Sequence, residues 1–307
     1  MRILVTGATG YVGSRLAPRL QRDGHEVRGL TRGRHAREPA GVPMVRGDAV
    51  TGAGLAEALD RVQVAYFLIH SMEAAPGGDG AFSARERAAA SNFARAAQAA
   101  GVERIVYLGG LVPTTGTPSA HLASRLAVEQ TLLEAAPCSI AFRASIVIGA
   151  GSRSFRFLVH LVERLPLLAV PAWRTNRTRP IDERDVIELL ARAATADELC
   201  GGSFDIAGPD TVTYEELIDR IRHHMYVGRA RITFKRLTLT PIASRVAAVL
   251  AGEEHELIGP LMEGLSSDLL PRDDRAAELL GVRMHGLDRA IEHALRDWER
   301  TEPLAAR

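Results

Sequence analysis

Through the first half of the chain, short and nearly unbroken apolar runs alternate with longer segments whose apolar positions recur at helical spacing. The runs are "RILVTG", "HEVRGLT", "VPMVRGD", "VAYFLIH", "RIVYLGG" and "IAFRASIVIG"; the intervening segments are Tyr11 to Asp23, Leu55 to Leu59, Phe82 to Ala100 and Ala120 to Ala135. Strands rich in Val, Ile and Leu on both faces, each followed by an amphipathic helix, predict an α/β fold in which a doubly wound parallel sheet is covered by helices on both sides. After Gly149 the pattern loosens into the Arg-rich and Pro-containing "GSRSFRFLVHLVERLPLLAVPAWRTNRTRP", and "DVIELLARAA" with "GGSFDIAGPD" then rejoins the sheet pattern. From Thr211 onward the spacing is mostly helical. The expected division is residues 1–150 and 178–210 for the sheet domain, with 151–177 and 211–307 forming a smaller, mostly helical substrate or lid region. "EAAPGGDG", Glu73 to Gly80, follows a strand and has the composition of a flap over a cleft.

"VTGATGYVG" sets Gly7, Gly10 and Gly13 in the turn between the first strand and the first helix. Backbone amides and a helix N-terminus at such a turn can hold a pyrophosphate, which side chains there would block. The spacing is G-x-x-G-x-x-G rather than G-x-G-x-x-G, so its position between strand and helix carries the inference. The second strand ends "GLTRGR", without the acid that would hold a free ribose 2′-hydroxyl. Arg32, with Arg34 behind it, is either a bidentate partner for a 2′-phosphate, which makes NADP(H) the expected cofactor over NAD(H), or a solvated loop arginine. Asp48 is either an acceptor for the adenine amino group or a turn residue.

Composition narrows the partners. The 307 residues can bury a large core, as one elaborate domain or two closely joined ones, and 38 Lys and Arg against 37 Asp and Glu give no basic footprint for nucleic acid. No apolar run reaches the roughly 18 residues of a membrane span, and the first strand begins at the second residue, leaving no room for a signal peptide; a cytoplasmic protein with a small-molecule substrate is expected, with a homodimer left open. Cys138 and Cys200 suggest neither a disulfide framework nor a zinc site, and read as buried small hydrophobes. His223 with His224, and Glu253, Glu254, His255 and Glu256, lack the order of a metal motif, so no metal is expected. Arg174, Arg177 and Arg179 are anion contacts or solvated loop residues. Trp173 is a pocket wall or a packing residue. The near-helical "TPIASRVAAVLAGEEHELIGPLMEGL" is core, lid, dimer face or membrane-surface contact.

"TGATGYVG", "LTR", "RGD" and "RIVYLGG" together resemble the atypical branch of the short-chain dehydrogenase/reductases, its NmrA-like and triphenylmethane-reductase-like members, with the match best over Met1 to Asp210. "AYFLIHSM", "RASIVIGAGSRSF", "ERLPLL", "RPIDERDV" and "DIAGPDTVTYEEL" resemble a bacterial NAD(P)-binding, epimerase-like group. The resemblance implies a Rossmann domain with cofactor contacts from Gly7, Thr9, Gly10, Tyr11, Val12, Gly13, Arg32, Asp48, Ala49, Ile69, His70, Gly109 and Arg125, with Ser71 beside His70 at the end of the fourth strand. The superfamily's catalytic Tyr and Lys, four residues apart on a helix, fall here on His121 and Arg125 of "SAHLASRLAVEQ", and its Ser region falls on Gly109 and Gly110. Arg125 can still hold ribose hydroxyls, whereas His121 beside an arginine is a weak acid; alternatively Arg125 pairs with Glu129 and His121 packs. Two functions follow. One is an NADP(H)-dependent oxidoreductase delivering hydride to a conjugated or aromatic acceptor such as a quinone or enone, which disperses the incoming charge. The other is a non-catalytic NADP(H)-sensing or assembly protein of NmrA type.

Overall fold

A computed structural model describes residues 1–33, 39, 41–69, 78–113, 120–164, 172–226, 267–302 and 304, with 78–82, 120, 121, 164 and 172 described by their backbone only. The strands are β1 (Arg2–Val5), β2 (Glu26–Thr31), β3 (Met44–Arg46), β4 (Val64–Phe67), β5 (Arg104–Gly110), β6 (Cys138–Ala144), β7 (Val147–Ile148), β8 (Arg177–Thr178), β9 (Ile181–Asp182), β10 (Ser203–Ile206) and β11 (Val212–Thr213). The helices are α1 (Gly13–Arg22), α2 (Leu55–Leu59), α3 (Gly78–Ala99), α4 (Ala120–Leu133), α5 (Arg153–Arg164), α6 (Glu183–Arg192), α7 (Tyr214–His224), α8 (Arg275–Leu279) and α9 (Leu287–Glu299).

Seven strands form one parallel sheet in the order β10-β6-β5-β4-β1-β2-β3. Successive side chains of a strand leave on opposite faces, so β1 sends Ile3 and Val5 to one side and Leu4 to the other. The first side packs on Leu16 and Leu20 of α1 and on Leu189 and Leu190 of α6. The second packs on Leu55 of α2, Phe93 of α3 and Leu132 of α4. The expected α/β doubly wound Rossmann sheet is therefore the observed one. A separate apolar cluster lies outside the sheet, where α5, α7 and α9 bring together Phe155, Leu158, Leu217, Ile291 and Trp298. α7 starts on a capping box: Thr213 Oγ1 accepts from the Glu216 amide at 3.1 Å, and the Glu216 carboxylate accepts from the Thr213 amide at 2.8 Å.

Two expectations are corrected. The helix anticipated from Phe82 begins at Gly78, so the last three residues of the Glu73-to-Gly80 flap are helical, and the rest of that stretch lies outside the described residues. Glycine weakens a helix end, but the buried face further along α3, with Ala89, Ala90, Phe93 and Ala97, outweighs that local preference. The cysteines are not buried hydrophobes. Cys138 is half-buried, Cys200 is exposed, and a disulfide joins them across 62 positions. Their meeting follows from β10 pairing with β6, a neighbour relation that no local pattern announces.

Trp298 anchors the outer cluster; it is 2% exposed, with the Arg156 guanidinium 4.3 Å from its ring centroid and His160 edge-on at 5.4 Å. Trp298→Ala should cost about 3–5 kcal/mol through lost burial and the cavity left behind. Denaturant unfolding checks it: the midpoint should fall well below that of the parent chain.

Candidate functional site

A cavity of about 770 Å³ opens where the strands of the sheet end. Gly7 follows β1, Thr31 closes β2, Gly47 and Asp48 follow β3, Leu68 follows β4, Leu108 to Gly110 close β5 and Ala144 closes β6; all of them line it. This carboxyl edge is where open α/β sheets bind ligands. The turn after β1 is tied to the end of β4 by Thr6, whose Oγ1 donates to Tyr66 O at 3.0 Å and accepts from the Leu68 amide at 3.1 Å.

The glycine turn is close-packed at two positions. Gly7 has φ +65°, and a Cβ there would lie 2.8 Å from Leu68 O. A Cβ on Gly13, the first residue of α1, would lie 2.2 Å from Gly7 O. Glycine is therefore required for helix and strand to approach, which brings the N-terminal turn of α1 to the cavity with Thr9, Gly10, Tyr11 and Val12.

Tyr11 does more than line the wall. Its hydroxyl donates to Glu183 at the start of α6, and Arg15 lies 4.5 Å from its ring centroid and 3.4 Å from the same carboxylate. His293 of α9 approaches Glu183 at 3.7 Å. Burial, then the Glu183 charge and hydrogen bond, push the Tyr11 pKa up, against the smaller pull of Arg15. Tyr11 is thus a fixed donor that ties the glycine turn to α6.

Of the residues anticipated from sequence, Gly7, Thr9, Gly10, Tyr11, Val12, Gly13, Arg32, Asp48, Ala49, Ile69, Gly109 and Arg125 all line this one cavity. Arg34, His70, Ser71 and Glu253 to Glu256 lie outside the described residues, and His121 is described only as a backbone position in α4. Asp48 accepts from the Val50 amide at 2.8 Å, the turn role left open for it, and Asn92 of α3 pins the same loop by donating to Ala49 O at 3.2 Å and Val50 O at 2.7 Å. Arg125 is 8% exposed and donates from Nη2 to Leu108 O at 3.3 Å, while Glu129 is held by Arg143 at 2.6 and 2.9 Å and by Ser203 at 2.6 Å. Arg177 and Arg179 form ion pairs with Asp268 and Asp274, at 2.7 and 2.9 Å, and do not line the cavity, and Trp173 packs edge-on against Tyr214. His224 lies 3.4 Å from Asp288.

Sequence reasoning assigned no role to Glu183, Arg85, Ser145, Arg153, Phe157, Leu158 or Leu269. All but Glu183 line the cavity. The available signals were two stretches of the resemblance, "RASIVIGAGSRSF", Arg143 to Phe155, which holds Ser145 and Arg153, and "RPIDERDV", which holds Glu183. Arg32, Arg85, Arg125 and Arg153 bring four guanidiniums to the walls against one acid, Asp48, among the described residues. The glycine turn, these arginines and the apolar Leu111, Leu122, Ile146, Phe157, Leu158 and Leu269 line a single cavity, a set that fits a dinucleotide beside an apolar ligand.

Comparison with known proteins agrees with this fold. The chain is 29% identical over 230 residues to a ceramide reductase of Caulobacter vibrioides, covering 73% of this chain and 70% of that one. A short-chain dehydrogenase/reductase superfamily protein from Agrobacterium tumefaciens with bound NAD has a TM-score of 0.72 at 20% identity, over 98% of both chains. The UDP-glucuronic acid 4-epimerase from Bacillus cereus, in complex with UDP-glucuronic acid and NAD, has a TM-score of 0.71 at 17% identity, over 98% of this chain and 99% of that one. The model of the NmrA-like family matches residues 1–166, so the chain belongs to that family of atypical short-chain dehydrogenase/reductase NAD(P)-binding proteins.

Proposed function

We propose that the protein is an NADP(H)-dependent oxidoreductase whose acceptor carries a conjugated carbonyl, as in a quinone or enone, on an apolar body. One observation supports this reading: the cavity lined by the glycine turn, Arg32, Arg85, Arg125 and Arg153 is also lined by Leu111, Leu122, Ile146, Phe157, Leu158 and Leu269. The name of the Caulobacter relative, a ceramide reductase, also favours a reductase acting on an apolar molecule. In this reading residues 1–150 and 178–210 carry most of the cofactor contacts, joined by Arg153, and 151–177 with 211–307 add Phe157, Leu158, Tyr214 and Leu269 to an acceptor wall shared with Leu111, Leu122 and Ile146.

A reduced nicotinamide supplies a hydride when bound. The chain's own residues orient and enclose. The α1 N-terminus and the guanidiniums hold phosphate, Arg32 selects the 2′-phosphate, and Arg125 holds ribose hydroxyls or a developing oxyanion beside the end of β5. Phe157, Leu158, Ile146 and Leu269 exclude water from the acceptor. Orientation of this kind can supply about 7–11 kcal/mol of barrier reduction. Because the Tyr, Lys and Ser slots hold His121, Arg125 and Gly109 with Gly110, an acceptor that disperses charge suits the site better than an isolated ketone. The same three departures favour the second reading, a non-catalytic NADP(H) sensor. The deciding experiment is NADPH oxidation with a quinone, a long-chain enone and an aliphatic ketone of similar size. Turnover on the first two supports the oxidoreductase; silence on all three, with NADPH bound, supports the sensor.

Cofactor choice rests on Arg32, since the two structural neighbours named above hold NAD. Arg32→Glu should weaken NADPH binding by about ten- to a hundredfold, the loss of a charge-assisted pair worth about 1.5–3 kcal/mol, and leave NADH binding unchanged or improved. Isothermal titration with both cofactors checks this; equal affinity of the parent chain for the two would remove the basis for NADP(H).

Gly13→Ala should abolish binding of either dinucleotide, because its methyl would meet Gly7 O at 2.2 Å and push α1 off the strand. Arg125→Ala should weaken NADPH binding about tenfold or more, whereas His121→Phe should leave binding intact and lower turnover by less than about ten-thousandfold. Fluorescence titration and steady-state rates separate the three.

A further inference from the structure

We propose that Cys138 and Cys200 form a reversible thiol–disulfide site, oxidised by hydroperoxides and activated by Arg104, at the end of the sheet opposite the cofactor cavity. Cys138 opens β6 and Ala144, which lines the cavity, closes it; six strand residues at about 3.3 Å each put roughly 20 Å between them. The two sulfurs share a guanidinium. Arg104 Nε donates to Cys138 Sγ at 3.1 Å, and its Nη2 lies 3.8 Å from Cys200 Sγ.

That guanidinium is held independently of the sulfurs. Arg104 is 6% exposed, and its Nη1 donates to Ala193 O at 3.1 Å and Ala194 O at 2.5 Å. It therefore stays in place when the S–S bond opens, and a fixed cation beside a thiol favours the thiolate. The opposing charge is Asp197, which accepts from Arg104 Nη2 and sits within 4.8 Å of both sulfurs; its side chain is 91% exposed, so water screens it. Among the described residues these two are the charged groups recorded against the pair.

The segments carrying the cysteines are also registered without the covalent bond. The Cys138 amide donates to Glu103 O at 3.0 Å, the Gly201 amide to Ser139 O at 2.7 Å and the Ala141 amide to Gly202 O at 3.0 Å. Reduction leaves these hydrogen bonds intact, so the thiols remain apposed and can close again with little chain motion. Exposure assigns the roles: Cys200 meets the oxidant and the half-buried Cys138 resolves.

The chemistry balances. The Cys200 thiolate attacks the hydroperoxide, forming S–O and breaking O–O, and the alcohol leaves with one proton. Cys138 then attacks the sulfenic sulfur, forming S–S and breaking S–O, and water leaves. Two thiols and one hydroperoxide give one disulfide, one alcohol and one water; a dithiol reductant reverses the site by exchange.

The test uses the full chain under native conditions, with thiols counted by alkylation and mass spectrometry. Dithiothreitol should free both thiols without unfolding, and cumene hydroperoxide should then remove both. In Cys138→Ser, dimedone should trap a sulfenic acid at Cys200. Arg104→Gln should slow alkylation of Cys200 at pH 7 by about tenfold, as the thiolate loses its fixed cation. Should that variant not fold, Asp197→Asn at the exposed position tests the same field with the opposite sign, speeding alkylation and lowering its pH midpoint. A disulfide that native protein does not yield to dithiothreitol would make the pair a permanent staple and overturn the proposal. So would dimedone labelling absent from Cys200, or an alkylation midpoint that neither charge variant moves.

Discussion

The constraint from which the rest follows is that a parallel sheet has two apolar faces and must bury both. Ile3, Val5, Tyr66 and Phe142 are fully or almost fully buried on one face, and Leu4, Ala65, Phe67 and Ile105 on the other. Crossovers must therefore return over one face or the other, and those after β1, β3, β4 and β5 carry helices. All of the strands then end on the same edge, and each following turn projects there. The cavity belongs to that edge by geometry rather than by any feature peculiar to the chain, and what the chain adds is the identity of the turns.

The most exacting of those turns is the first. Gly13 sits against Gly7 O so closely that α1 can lie on β1 only without a side chain there. Once α1 is placed, Tyr11 faces α6, and its hydroxyl, with Arg15, occupies Glu183. Glu183 is 5% exposed, and a carboxylate so deeply buried needs such partners. Gly149 and Gly151 make room for the contact: a Cβ on Gly149 would lie 1.9 Å from the Tyr11 hydroxyl, and one on Gly151 would lie 2.5 Å from its ring. The turn after β1, the turn after β7 and the start of α6 thus form one unit, although they are distant in sequence, and α9 joins it through His293.

This explains what was legible in the chain and what was not. Strand and helix order, the glycine turn and the cavity residues at the strand ends could be read because each depends on periodicity or on a local motif. Arg32 and Asp48 were readable for the same reason, since both stand at fixed offsets from a strand end. Glu183 looked like an ordinary acid in "RPIDERDV"; its role depends on Tyr11, 172 positions earlier. The disulfide depends on the adjacency of β6 and β10, and Arg104's part in it on the turn after α6. Arg85 reaches the cavity from α3, on a helix face that carries no motif, and Arg153 from the start of α5, where only the resemblance of "RASIVIGAGSRSF" marked it.

The same geometry limits the chemistry. Carbonyl reduction adds a hydride to carbon and a proton to oxygen, and the oxygen's basicity decides how urgently it needs an acid. Two tyrosines, Tyr11 and Tyr214, line the cavity among the described residues. Burial raises the pKa of both, and the Tyr11 proton is already given to Glu183. A phenol shifted in that direction parts with its proton less readily than one in water, the reverse of what acid catalysis near neutrality calls for. The guanidiniums can donate hydrogen bonds without ever releasing a proton. They can stabilise an oxyanion but not quench it. An acceptor whose charge spreads over a ring or an enone leaves a weakly basic oxygen that can wait for water. Under the proposed oxidoreductase function, this arrangement of donors would favour acceptors that keep their own negative charge, and it would do so through the transition state rather than through the fit of the apolar wall.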